Sequence, residues 1–336
     1  MLLGIYVDDL IILSKSLAEI NKVKQSMSER FKMQDFGEAS VILGIKIQRD
    51  LTAGTLILSQ AKYARSLLDR FEMKGTRGTS IPLSASVTFG KDQCPQSEED
   101  THVMLDAPYR QAIGSLMYLM VSTRPDLAYA IQVLSRFGSN PGIIHWKGLK
   151  KVLQYVAGTV DFGIVYRRGE STLTGYCDAD FSSCVDTSRS NGGYVFLYGG
   201  GAVSWSSKRQ QVVALSTCEA EYMAMNLATR EGVWGIQLME ELGFGQRPIT
   251  LLSDSESAIN LCKNSIIGPK SKHIRRQFHY IRECIANGDI NLKFVRSELQ
   301  LADGLTKALS VEKFVIFREG LGLRNLEEIT PKIGLA

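Results

Sequence analysis

The spacing of apolar residues changes several times along the chain, and each change marks an element. Residues 2–7 and 10–13 are two β-rich runs around Asp8-Asp9, the pattern of a hairpin with the aspartates at its turn. Residues 17–32 then place Leu17, Ile20, Val23, Met27 and Phe31 at helical spacing. Strand-like runs at 41–47 and 55–58 bracket a turn at Thr52-Ala53-Gly54. A helix over 60–71 follows, with Tyr63, Leu67, Leu68 and Phe71 on one face. Residues 74–106 show little periodicity and carry Gly75, Gly78, Pro82, Pro95 and an acidic stretch at 97–100, which predicts a linker. Helical spacing returns at 108–137, broken by Arg124-Pro125-Asp126, and at 144–157 after Pro141-Gly142.

From residue 172 the period shortens to two. Three strands are predicted at 173–181, 193–198 and 202–208, then a long helix over 217–242. A strand at 248–253, helices at 255–262 and 270–287, a strand at 289–295 and a helix over 301–321 complete a mixed α/β pattern.

Composition narrows the classes. The chain has 336 residues, 44% hydrophobic and 22% charged, which sets disorder and fibrous architectures aside. No apolar run approaches the roughly 18 residues of a membrane span, and Met1-Leu2-Leu3 does not open a signal peptide. The six cysteines include no CxxC pair, which argues against a zinc site or a disulfide framework and for a reducing compartment. The net charge of +4 falls wholly within residues 1–170, while the remainder balances.

Acidic residues stand where sheet and helices meet. Asp178 and Asp180 alternate on the first strand of the second half and share one face. Glu219 and Glu221 lie two apart on the long helix and cannot share a face. Glu221 leads a stripe of Ala224, Met225, Ala228 and Gly232, small or apolar residues suited to a sheet, so it is the inward candidate. Asp254 ends a strand, where α/β sheets place ligands, and Asp303 opens the last helix. Carboxylates alone, without His or Cys, suit a hard cation such as magnesium. The plainer alternative makes Asp254 and Asp303 helix caps, Asp178 a turn residue and Glu221 a solvated group.

Residues 173–309 resemble the ribonuclease H domain of copia-type long-terminal-repeat retrotransposon polyproteins. The resemblance is carried by Gly175-Tyr176-Cys177-Asp178-Ala179-Asp180-Phe181, Ser190-Asn191-Gly192-Gly193-Tyr194-Val195, Ser204-Trp205-Ser206-Ser207-Lys208-Arg209-Gln210, Ala214-Leu215-Ser216-Thr217-Cys218-Glu219-Ala220-Glu221-Tyr222, Lys272-His273-Ile274 and Ala302-Asp303-Gly304-Leu305-Thr306-Lys307. Residues 108–158, with Pro108-Tyr109-Arg110 and Thr123-Arg124-Pro125-Asp126, resemble the family's connecting region. Residues 1–72 resemble the end of its reverse transcriptase palm and thumb, with Tyr6-Val7-Asp8-Asp9 as the polymerase hairpin.

The resemblance implies an α/β fold: a ribonuclease H-like mixed five-stranded sheet with flanking helices, preceded by a truncated palm and thumb and a helical connection. It divides the chain into a palm and thumb remnant (1–72), a linker (73–107), a connection (108–170), the ribonuclease H domain (171–321) and a C-terminal tail (322–336). It names Asp178, Glu221, Asp254 and Asp303 as catalytic, metal-binding carboxylates, choosing Asp178 over Asp180. Two magnesium ions, or manganese in their place, are the implied cofactors, and the implied reaction is hydrolysis of the RNA strand of an RNA–DNA hybrid. Other Pol or Gag products of the element are further implied partners.

Two positions depart from the family pattern. Residues 296–302 lack the His that many ribonucleases H carry before the last Asp, and Phe181 stands where the family usually has Trp. His273 and His279 lie on an earlier predicted helix and are read as structural or nucleic-acid-facing. Lys208, Arg209 and His273 are the candidates for contact with nucleic acid. No membrane partner is expected. If the element is expressed, its place is cytoplasmic, in a virus-like particle, or nuclear, and not secreted. The rival reading is a decayed or domesticated fragment that binds nucleic acid without catalysis.

The resemblance implies that the further palm carboxylate of polymerase chemistry lies upstream of Tyr6, so Asp8 and Asp9 are expected to be a vestigial motif in this sequence. No DNA synthesis by this chain alone is expected. Nucleotide incorporation on a primed template is the measurement that checks it.

Overall fold

In the computed structural model, which describes residues 1–169, 171–263 and 275–333, the period-two runs pair into three sheets. The first is a hairpin of β1 (Leu2–Tyr6) and β2 (Asp9–Leu13), with Tyr6 opposite Asp9. Its turn is Val7-Asp8, and Val7 has φ 50°. Two-residue hairpin turns demand positive φ to match strand twist, and a β-branched residue accepts it only at a cost.

A second sheet gathers β3 (Val41–Ile42), β4 (Ile45–Asp50), β5 (Thr55–Ser59), β6 (Phe162–Arg167) and β12 (Leu323–Asn325) in the order β12-β6-β5-β4-β3, every pair antiparallel. The third is formed by β7 (Thr174–Asp180), β8 (Asn191–Tyr198), β9 (Gly201–Arg209), β10 (Ile249–Ser253) and β11 (Ile290–Phe294). Its order is β11-β10-β7-β8-β9. β7, β8 and β9 form an antiparallel meander, while β10 runs parallel to both β7 and β11. This is the ribonuclease H-like mixed five-stranded sheet that the resemblance implies. The helix Thr217–Glu241 covers it with Tyr222, Met225, Ala228 and Ile236.

Three differences from the expected pattern have physical causes. The spacing predicts neither β6 nor β12. The first is a short β-rich run directly after a helix, and the second is three residues long, below the length at which alternation shows. The predicted helix over 301–321 is two helices, Asp303–Thr306 and Val311–Gly320, because the Ser310 hydroxyl accepts from the Lys313 amide and starts a new one. Residues 326–333, within the stretch assigned to a tail, form a helix that packs Leu326 and Ile329 against Ile57 and Val165.

The second and third sheets adjoin. The Arg167 amide donates to the Gly199 carbonyl at 2.7 Å, and the Ala202 amide to the Leu321 carbonyl at 3.0 Å. Gly322, at φ 78°, sits where a Cβ would lie 2.7 Å from both the Gly200 oxygen and the Gly201 Cα. Only glycine fits that seam.

The helices Tyr109–Ser122, Ala128–Ser135 and Ile143–Gly158 build the largest core. Leu83 and Phe89 of the aperiodic stretch enter it, as do Val195 and Ala202 of the third sheet and Leu305 and Phe314 beyond it. Inside it, Pro125 interrupts the helical run, and the Arg124–Asp126 ion pair closes at 2.8 Å with side chains 2% and 0% exposed. The Tyr155 hydroxyl donates to Asp126 at 2.6 Å, and Arg124 donates to the Thr159 carbonyl and hydroxyl at 3.0 and 2.7 Å. Burial alone would lower the pKa of Arg124; the Asp126 carboxylate outweighs it and raises it.

Removing one partner of such a pair leaves an uncompensated buried charge. Asp126→Ala should therefore destabilise the chain by about 3–5 kcal/mol, while Arg124→Met combined with Asp126→Leu should restore a large part of the loss. Urea denaturation of the variants measures both.

Candidate metal centre

The carboxylates meet because two parallel strands end at one edge of the third sheet. β7 carries Asp178 near its end, and Asp254 follows β10 directly, with Leu252 of β10 beside Tyr176 of β7 in register. Asp303 opens the short helix Asp303–Thr306, which lies against this edge because Gly193, the partner of Asp178 on β8, has no side chain. A Cβ there would lie 2.7 Å from the Leu305 Cβ and 3.1 Å from the Thr306 methyl. Gly304 makes the complementary allowance on the other side, where a Cβ would meet the Phe317 ring at 2.5 Å.

One oxygen from each of Asp178, Asp254 and Asp303 lies within 4.8 Å of the others. Asp178 is buried and the other two are half-buried. The Thr306 hydroxyl donates to Asp178 Oδ2, Ser297 Oγ donates to Asp254 Oδ2 at 2.6 Å, and Lys307 Nζ stands 3.0 Å from Asp303 Oδ1. Glu221 lies outside that group of three but faces it from the long helix, and its Oε2 is buried without a hydrogen-bond partner among the described residues.

The electrostatics follow from this crowding. Burial and then the neighbouring Asp303 raise the pKa of Asp178, which the Thr306 bond and Lys307 partly offset. Burial, Asp178 and Asp254 raise that of Glu221, against the pull of the Ala179 amide. Burial alone would lower the pKa of Lys307, and Asp178 and Asp303 reverse that. Lys307 supplies one positive charge to a group of four carboxylates. An all-oxygen donor set with an unpartnered buried carboxylate oxygen fits a hard divalent cation.

The structure therefore brings together Asp178, Asp254 and Asp303, with Glu221 facing them. Ala224, Met225, Ala228 and Gly232 are all buried, as the stripe argument requires. Glu219 instead accepts from the Leu215 amide at 2.8 Å, a local contact at the helix start. Asp180 is half-buried, and burial raises its pKa. Thr306 and Lys307 are absent from the candidates drawn from the sequence. They lie three and four residues after Asp303, the spacing that puts helical side chains on one face, and that signal could have found them.

The remaining candidates lie elsewhere. Tyr6 and Val7 are 60% and 83% exposed, Asp8 and Asp9 are exposed too, and neither aspartate joins a metal-like group among the described residues. Lys208 is exposed near the end of β9, whereas Arg209 turns its guanidinium to the Cys184 sulfur at 3.5 Å. His273 lies outside the described residues. Among the described residues no helix is long and apolar enough to cross a membrane.

The fold and this centre define an α/β chain with a ribonuclease H-like sheet, and comparison with known proteins supplies the family. The family model described as reverse transcriptase (RNA-dependent DNA polymerase) matches residues 1–85. The retrovirus-related Pol polyprotein from transposon TNT 1-94 of Nicotiana tabacum is 41% identical over 325 residues, covering 97% of this chain and 24% of that protein. The putative transposon Ty5-1 protein of Saccharomyces cerevisiae is 32% identical over 231 residues, covering 68% of this chain and 73% of that protein. Among solved structures, an LC11-RNase H1 in complex with an RNA/DNA hybrid matches with TM-score 0.31 and 16% identity, over 40% of this chain and 94% of that one. The chain belongs to the copia-type retrotransposon Pol polyproteins. It spans about a quarter of the length of the tobacco relative.

The raised carboxylate pKa values have a consequence for the cation-free protein. Asp178 and Glu221 hold protons in the folded state that the unfolded chain releases at the ordinary carboxylate pKa near 4. Unfolding is therefore increasingly favoured as pH rises from about 4 toward and past neutrality. In EDTA, the melting temperature should fall over that range, and Asp178→Asn should flatten the slope. Thermal melts at stepped pH measure it.

Proposed function

We propose that the chain hydrolyses the RNA strand of RNA–DNA hybrids, as the ribonuclease H portion of a copia-type Pol polyprotein. The observation that supports this best is the convergence of Asp178, Asp254 and Asp303 within 4.8 Å at one edge of the mixed sheet, with Glu221 facing them. Asp178, Glu221, Asp254 and Asp303 are the residues that would hold divalent cations. Divalent cations held there would supply an activated water and charge stabilisation at the leaving oxygen.

The protein's own groups prepare that site. Thr306 orients Asp178, Ser297 orients Asp254, and Lys307 keeps Asp303 paired. Residues 171–321 carry the activity and 108–170 act as the connection. Lys208, exposed near the end of β9, would contact the phosphate backbone. Contacts of that kind read the shape of a hybrid rather than its sequence and weaken with salt.

Cleavage of a labelled RNA–DNA hybrid in magnesium tests the proposal. The unaltered chain should cut the RNA strand, and Asp178→Asn should lose at least about a hundredfold in rate. Equal cleavage by both proteins, or binding without cleavage by either, rejects it in favour of a nucleic-acid-binding fragment.

A further inference from the structure

A chain of hydrogen bonds enters the carboxylate centre from outside the third sheet. Arg136 closes the helix Ala128–Ser135, and its Nη2 donates to Gln132 Oε1 at 2.8 Å and to Asn191 Oδ1 at 2.6 Å. Asn191 is 1% exposed and opens β8. An amide has one acceptor oxygen, and arginine can only donate, so Arg136 decides which way this amide faces. With Oδ1 taken, Asn191 Nδ2 donates to Ser183 Oγ at 2.8 Å and to the Thr306 carbonyl at 3.3 Å. A flipped amide would set its oxygen against that carbonyl.

Thr306 is the decisive link. Its hydroxyl has one hydrogen and two acceptors in reach, Asp178 Oδ2 and the Asp303 carbonyl, the latter at 3.1 Å. Bonding back to a carbonyl of its own helix is the local default for threonine. Holding the Thr306 backbone from Asn191 keeps the hydroxyl on Asp178 instead. The arrangement is costly, because Arg136 is half-buried with an Nε that lacks a hydrogen-bond partner among the described residues.

We propose that Arg136 is a positioning residue for the carboxylate centre, acting through Asn191 and Thr306 to orient Asp178 for a divalent cation. The proposal rests on the reading of the centre as a cation site. Its test is Mn2+ titration of the full chain, followed by the electron paramagnetic resonance signal of the free ion. Groups that orient a ligand typically change metal affinity about 10–100-fold, so Thr306→Val should weaken Mn2+ binding by about tenfold and Arg136→Met by at least about threefold.

Arg136→Lys should recover most of the affinity, since both contacts come from one nitrogen. Arg136→Met combined with Thr306→Val should bind no more weakly than Thr306→Val alone, because both act on one path. Arg136→Met with unaltered affinity, or additive losses in the double variant, overturns the proposal. Where a melt shows Arg136→Met unfolded, Asn191→Ser cuts the same path and must weaken binding similarly. Wild-type affinity in that variant also overturns it. Failure of the unaltered chain to bind Mn2+ overturns the cation-site reading and this inference with it.

Discussion

Like charges forced together at a buried sheet edge are the constraint on which the centre depends. Asp178, Asp254 and Asp303 cannot all ionise within 4.8 Å without compensation, and the protein supplies only part of it through Thr306, Ser297 and Lys307. The geometry that enforces the crowding is itself specific. Gly193 and Gly304 remove the two side chains that would push the Asp303–Thr306 helix off the sheet. The crowding is only partly compensated by the chain's own groups.

The Arg124–Asp126 pair shows the opposite solution to the same problem. Both groups are more deeply buried than Asp303 or Asp254, yet every strong contact they need comes from the chain itself, from Tyr155 and Thr159. Among the described residues, neither group keeps a buried side-chain atom without a hydrogen-bond partner. Glu221 Oε2, by contrast, is buried and unpartnered among the described residues. Burial of charge alone therefore does not distinguish the two places; the unsatisfied remainder does.

How much of the fold and centre is legible in the sequence depends on the range of the interactions. The alternation at 174–180 and the small-residue stripe after Glu221 are local, so β7 and the inward face of the long helix can be read from spacing alone. Asp178 cannot be separated from Asp180 by spacing, because both project from one face, and the family resemblance makes that choice. β12 is illegible because three residues carry no period, and its strand character comes entirely from pairing with Ile164, Gly163 and Phe162. Gly193 reads locally as a strand weakener, and only its approach to Leu305, more than a hundred residues later, shows why it is there.

That long range bears on how the halves of the chain depend on each other. Leu127, Leu134 and Val156 of the helical region share one apolar cluster with Val195 and Ala202 of the third sheet and with Leu305 beside Asp303. The backbone bonds from Arg167 to Gly199 and from Ala202 to Leu321 stitch the second sheet to the third along the same seam. Packing of this density transmits displacement instead of absorbing it. The position of Asp303 is thus set from two directions, by the sheet through Gly193 and by the helical core through Leu305. The helical region is therefore part of the scaffold of the centre.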